Sequence, residues 1–260
     1  MSVWDTYQNR IEFSGATKRE RARQREIAHL NRKLRDNLSY KEVKINGENR
    51  SVIITNTDDY SIKAIMSMPD EKLSHGGIVD WEDNKWLITS VNADNELYES
   101  GKITQCNYLL KWLNDKGEIV ERWCVVEDGT KYLIGEKTKD VMAIGDARIA
   151  VTIGKDEETD KLSRGKRFLI DDLDEDQPLA YQITKPNKLY NLYSGKGVFR
   201  FILNEVNMTQ YDNVKLRIAD YFNWQKDTST DADHVDLDKS LDDIKSDGDN
   251  PPDHEKKGWI

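Results

Sequence analysis

Between residues 41 and 206, turn chemistry interrupts short apolar runs roughly every eight to twelve residues, a spacing that suits strands and leaves no room for long helices. Val43–Ile45 and Ser51–Ile54 flank Asn46-Gly47, the dipeptide of a type I′ hairpin turn. Gly77–Trp81 and Lys85–Val91 flank Glu82-Asp83-Asn84 and read as a second hairpin. Ile103–Leu113 reads as one long strand, which Asn114-Asp115-Lys116-Gly117 turns into Ile119–Val126. Lys131–Ile134 is a further strand, and Ile218–Phe222 reads as a last one. The expected fold is mainly β: two tandem small β-barrel or sandwich modules, with an N-terminal α-helix and an extended acidic C-terminal tail. The expected boundaries are a basic helical arm over 1–40, a first β module over 41–145, a second over 146–225, and an irregular tail over 226–260.

The two modules share short phrases in the same order. Leu73-Ser74-His75-Gly76 parallels Leu162-Ser163-Arg164-Gly165, and Trp86-Leu87-Ile88-Thr89 parallels Tyr181-Gln182-Ile183-Thr184. Leu97-Tyr98-Glu99-Ser100-Gly101-Lys102 parallels Leu192-Tyr193-Ser194-Gly195-Lys196. Ordered matches of this kind suggest a tandem duplication. The alternative is similar turn chemistry arising twice by chance.

Charge is divided along the chain. The formal net charge is -9, with 33% charged and 37% hydrophobic residues, too polar for one large core and suited to thin modules with solvated arms. Residues 10–35 hold nine Lys/Arg against three acids, whereas 226–260 hold eleven acids against five Lys. The basic segment reads as a helix starting at Thr17, where Thr17 and Glu20 form a capping box. Ile27, Leu30 and Leu34 share one face. Its first two turns, with Arg19 and Arg23, suit an acidic protein partner or a solvated face with intrachain ion pairs, in preference to DNA, because the rest of the chain is acidic. The tail's composition predicts disorder, and its terminal Trp259 is a candidate docking hook.

Residues that would carry catalysis or bind metal are sparse. Cys106 and Cys124 cannot build a disulfide scaffold and form no C-x-x-C pair. His29, His75, His234 and His254 lack metal-ligand spacing, and His75 reads as a turn residue. Ser100-Gly101-Lys102 and Ser194-Gly195-Lys196 are fragments of a phosphate loop that read as hairpin turns. Asp171, Asp172 and Asp174 lie in an acidic run without EF-hand order, which reads as a solvated loop. No cofactor, metal site or enzymatic activity is expected. No run is long and apolar enough to be a membrane helix, and the composition suits a soluble chain made in a reducing cytoplasm. Trp123 and Cys124 are adjacent on a strand, so one of them faces away from its module core. An outward Trp123 suits an interface; a sugar-binding platform is the rival reading.

The phrase Gly76-Gly77-Ile78-Val79-Asp80-Trp81-Glu82-Asp83-Asn84-Lys85-Trp86-Leu87-Ile88-Thr89-Ser90-Val91 resembles the hairpin of small β-barrel head-closure proteins of tailed bacteriophages. The strand Gln105–Trp112 looks like those of structural proteins in prophages of low-GC Gram-positive hosts. The resemblance covers about residues 40–125 and implies a stopper-like neck protein of the virion, forming a six- or twelve-fold homo-oligomeric ring. The implied partners are a portal or adaptor protein on one side and a tail terminator or tail tube protein on the other, with packaged DNA nearby. Arg19, Arg23, Trp123, Asp171, Asp172, Asp174 and Trp259 are then the candidate interface or lumen residues, and the 92–102 loop is a second candidate for the channel. The competing classes are a tail-associated or decoration protein and a carbohydrate-binding module.

Overall fold

The computed structural model describes residues 17–93, 95–128, 148–170, 178–189 and 192–223, together with Trp4 and Tyr7. Helix α1 spans Lys18–Arg35 and starts where the capping box places it: the Thr17 hydroxyl accepts from the Glu20 amide, and the Glu20 carboxylate accepts from the Thr17 amide. Arg32, Lys33 and Arg35 in the last turn suit the negative end of the helix dipole.

Six strands follow: β1 (Tyr40–Ile45), β2 (Glu48–Asn56), β3 (Ile62–Ser67), β4 (Ile78–Trp81), β5 (Asn84–Asn92) and β6 (Ser100–Gln105). They close into a barrel in the order β1-β2-β3-β6-β5-β4, with β4 returning to β1 through Lys44↔Asp80 and Ile45↔Val79. Both expected hairpins are present. Asn46 and Gly47 take φ of 52° and 86°, and the second turn is the pair Glu82 and Asp83, at 48° and 61°. Closure leaves this barrel no free edge. Its interior holds Val43, Ile45, Val52, Ile54, Ile65, Leu73, Val79, Trp86, Ile88 and Ile103.

The remaining elements are β7 (Tyr108–Leu113), β8 (Ile119–Asp128), β9 (Arg148–Gly154), helix α2 (Glu157–Lys161), β10 (Arg167–Ile170), β11 (Leu179–Asn187), β12 (Leu192–Tyr193) and β13 (Lys196–Val206). Their sheet order is β10-β11-β13-β9-β8-β7, with β12 attached to β13. Strand for strand this repeats the first barrel, with β12 as the one addition. The ends of the sheet approach each other, and the Tyr108 hydroxyl on β7 donates to the Leu169 carbonyl on β10 at 3.2 Å.

The duplication read from the phrases is therefore architectural, and two of the three phrases mark its register. The Gly76 amide donates to the Ile88 carbonyl and the Ile88 amide to the Gly77 carbonyl; Gly165, Ile183 and Lys166 repeat that pattern. Pairing shifts register between Ile88 and Ser90 in one unit and between Ile183 and Lys185 in the other. Thr89 and Thr184 occupy the bulges, and their hydroxyls donate to carbonyls on the next strand. Val79 pairs Trp86 where Phe168 pairs Tyr181. The third phrase does not correspond. Ser100-Gly101-Lys102 begins strand β6, while Ser194-Gly195 is a two-residue turn with φ of 50° and 78°. The turn reading holds for the second copy alone.

Three further expectations differ from the structure. The long strand 103–113 is two strands, broken at Cys106–Asn107. The Cys106 amide donates to Lys85 of the first barrel and the Asn107 amide to Cys124 of the second sheet. The Asn107 side chain then takes the place of a strand neighbour: its amide donates to the Val126 carbonyl and its oxygen accepts from the Val126 amide, both at 2.8 Å. The sheets thus divide the chain here, whereas the expected modules divide at 145/146; β7 and β8 bond within the second sheet. Finally, Ile218–Phe222 is not a strand. Arg217 and Asp220 have left-handed φ of 58° and 56°, which breaks extended backbone, and the segment forms an isolated bridge, Asn213↔Ile218. The expected strand 131–134 and the tail 226–260 lie outside the described residues.

Three outer faces are covered. Ile53 lies on the outside of β2 between the inward Val52 and Ile54, under Leu34, Leu30 and Met68. Leu87 lies outside β5 between Trp86 and Ile88, under Val125 and Val198 of the second unit. Leu169 lies outside β10 between Phe168 and Ile170, with Ala180, Val206 and Ala219 of the 207–223 segment.

Candidate functional site

The candidate surfaces build upward from these three covered faces. The first is α1. Arg19 pairs with Glu96 and Arg23 with Asp70, so both candidate arginines bridge the helix to loops of the first barrel. Both pairs are solvent-exposed and worth little individually; Leu30 and Leu34 hold the helix on the Ile53 face. The 92–102 loop is held in the same cluster. The Leu97 carbonyl accepts from the Asp70 amide, the Glu99 carbonyl from the Ser67 amide, and the Glu99 carboxylate from the Leu73 amide at 2.6 Å. Its described part is packed onto the body of the barrel.

The second surface is the seam between the units. Trp123 faces away from the core that Cys124 enters, as strand alternation requires, and packs half-buried with Leu87, Cys106, Val125, Val198 and Ile78. Its outward face is thus spent on an intramolecular contact. Backbone presses on backbone beside it. A Cβ at Gly76 would stand 1.9 Å from the Gly197 carbonyl oxygen, and one at Gly154 2.2 Å from the Gly76 oxygen. A cavity of about 430 Å³ opens along the seam between His75, Arg122, Trp123, Lys155, Asp156 and Lys196. His75 contacts the Thr89 carbonyl through Nε2 at 3.1 Å, as befits a turn residue. Asp156 pairs with Arg122 at 2.5 Å. Burial pushes Asp156 up, but the Arg122 guanidinium and the Thr159 amide outweigh it and hold the carboxyl below its usual range.

The third surface is the brace formed by 207–223. Arg167 reaches from β10 and grips Asp212 with both terminal nitrogens, at 3.0 and 2.9 Å, while Nη1 also donates to Asp220 at 2.7 Å. The Asp212 side chain is fully buried and accepts from the amides of Thr209 and Asp220 as well. Burial raises its pKa, but those two amides and Arg167 more than offset this, and the net shift is downward. The sequence does not reveal this cluster, because Arg167 lies 45 and 53 residues from its two acids in a chain full of acids. At the other end of β13 from the brace, the β12–β13 hairpin, without counterpart in the first barrel, exposes Leu192 and Tyr193, and Leu189 is exposed just after β11.

Burial pushes the Cys106 thiol up to about 12; Cys124 rises further for the same reason, with Cys106 beside it adding to the effect. Neither is a reactive nucleophile at neutral pH. Among the described residues no group of three or more His, Cys, Asp or Glu is placed to hold a metal ion, and no helix is long and apolar enough to cross a membrane. Asp171, Asp172, Asp174 and Trp259 lie outside the described residues.

Residues 18–105 match the family model of the YomX N-terminal domain. The matched span begins at the first residue of α1 and ends at the last residue of β6, so it is the helix and the closed barrel together. That domain family is phage-associated, of Bacillus prophage type. The match supports a phage protein. It covers about a third of the chain, and the second unit, which repeats the same topology, lies beyond it. No curated protein and no solved structure matches the chain.

Proposed function

We propose that this protein is a structural component of the phage neck, forming a ring between portal or adaptor and tail that closes the head and offers the tail a docking surface. The observation that carries the reading is the small barrel itself: the phage-associated domain coincides with a closed six-stranded unit, and the chain then repeats its strand order in a second, barrel-like sheet. Two β units packed along a seam suit an assembly role, because each subunit then presents a defined shape to repeat around an axis. Head-to-tail contacts then close a ring when the rotation closes. The exposed Leu189, Leu192 and Tyr193 supply apolar surface of the kind that subunit contacts bury. Homo-oligomerisation with six- or twelve-fold symmetry, portal or adaptor contact on one face and tail terminator or tail tube contact on the other complete the reading.

Cryo-electron microscopy of the phage particle, with antibody labelling of this chain, tests it. A low-copy ring at the head–tail junction is the expected result. A chain absent from particles and monomeric at all concentrations refutes it. Uniform labelling of the capsid surface or tail shaft transfers the protein to the decoration or tail-associated class.

A further inference from the structure

The docked face of α1 is centred on Ile27, Leu34 and Arg23. Lys18, Arg21, Arg25 and Arg32 follow one another at three-, four- and seven-residue steps, which places them on a single stripe of the opposite face. The helix's two acids fall off this stripe, and Glu20 is turned back onto the Thr17 amide. Among the described residues no carboxylate pairs with any of the four. Like charges at these spacings repel, and the interactions that hold the helix down, on its other face, do nothing to relieve this.

We infer that this cationic stripe is the docking site for the acidic C-terminal segment, residues 227–255, of the same chain. Charge complementarity identifies the occupant. The segment from 226 to the end holds eleven acids against five lysines, the reverse of the helix. Reach permits it. Thirty-seven residues follow Asn223, where the described brace ends; at ~3.3–3.6 Å per extended residue they reach on the order of 120 Å, beyond the roughly 50 Å across a compact chain of this length. Tethering favours a segment in the same chain over one in solution, because a linked partner acts at an effective concentration in the millimolar range for short flexible links. Nucleic acid is the weaker competitor: the chain as a whole carries -9 and repels it. The inference does not depend on the neck reading.

The test uses the full chain with cysteines introduced by A28C, on the exposed flank of α1, and S246C, each carrying a nitroxide. Both native thiols are buried, which shields them from the label. At about 50 mM salt a short electron–electron distance is expected, lost at about 500 mM as screening rises. R21Q/R25Q/R32Q should abolish the short distance at low salt, as should D236N/D238N/D242N/D243N, with the circular dichroism of the fold retained. Diluting labelled into unlabelled chain should leave it unchanged. A long, broad distribution insensitive to salt and to both sets of substitutions overturns the inference. Loss on dilution also overturns it, by showing that the segment comes from a second copy. Equal binding of a random-sequence DNA duplex by the wild-type chain and the Asp→Asn variant would mean that the stripe is open, and so refute it too.

Discussion

Arg167→Met is the sharpest test of how the second unit is finished. Methionine keeps the length and the apolar stem of the side chain but removes the fork that grips Asp212 and Asp220. Arg167 is 11% exposed and Asp212 not at all, so the lost pair is a buried one. Breaking such a pair by removing one partner costs about 3–5 kcal/mol, most of it from the charge left behind. Here Asp212 keeps its two backbone donors, from Thr209 and Asp220, which places the expected loss near ~3 kcal/mol. Arg167→Lys keeps the charge without the bidentate geometry and should fall between, at roughly 1–2 kcal/mol. Urea unfolding measures the loss, and amide hydrogen exchange over 207–223 locates it. Exchange should accelerate there before the strands of the first barrel respond. The pH dependence follows from the sign of the shift. Asp212 has a folded pKa below its unfolded value, so its contribution is fully present above the ordinary carboxylate range and is lost as pH falls through the lowered folded value. Arg167→Met should flatten that acid limb. A loss below about 1 kcal/mol, with exchange over 213–220 unchanged, would refute the view that this cluster holds the brace.

Other outcomes follow from the same structure. Gly76→Ala should destabilise by more than about 2 kcal/mol, adding seam overpacking to the left-handed backbone strain. Gly165→Ala, at the equivalent φ but with only the Gln182 side chain 3.9 Å from its Cβ, should cost only the strain, about 1–2 kcal/mol; equal losses in urea unfolding would mean that the close approach at the seam contributes nothing. Thr17→Ala should destabilise α1 by about 1 kcal/mol, seen as faster exchange in its first turn, and an unchanged rate there would count against the capping box. Cys106 and Cys124 should resist a thiol-specific chromogenic reagent at pH 8 in the folded chain and react fully in denaturant, since burial holds both thiols protonated; prompt reaction of the native protein would show that the seam opens.

Much of this architecture is legible in local chemistry. Asn46-Gly47 specifies its turn because only residues tolerant of positive φ fit there, and Thr17 with Glu20 specifies the helix start. The repeat was visible in two phrases because the Gly and Thr of each satisfy a backbone requirement, a left-handed turn and a bulge, that the fold imposes twice. The break at Cys106–Asn107 was not visible. Strand periodicity runs unbroken through it, and only the identity of the partners, Lys85 on one side and Cys124 on the other, changes. The runs Val52-Ile53-Ile54, Trp86-Leu87-Ile88 and Phe168-Leu169-Ile170 carry a sequence signal of the covered faces. In a two-faced strand, three consecutive buried residues mean that both faces are covered.

By itself, then, the amino-acid order determines the hairpins, the helix with its cap, the two-copy plan and the separation of basic and acidic ends, because each depends on residues close in sequence. The tertiary structure alone decides what covers each outer face. Arg19 and Arg23 are spent on Glu96 and Asp70, Trp123 on the seam, and Arg167 on Asp212 and Asp220. Those partners are 45 residues or more away for the ion pairs and across a unit boundary for Trp123. Choosing among the many acids of this chain takes the geometry of the two β units, which brings one acid to Arg19, one to Arg23 and two to Arg167.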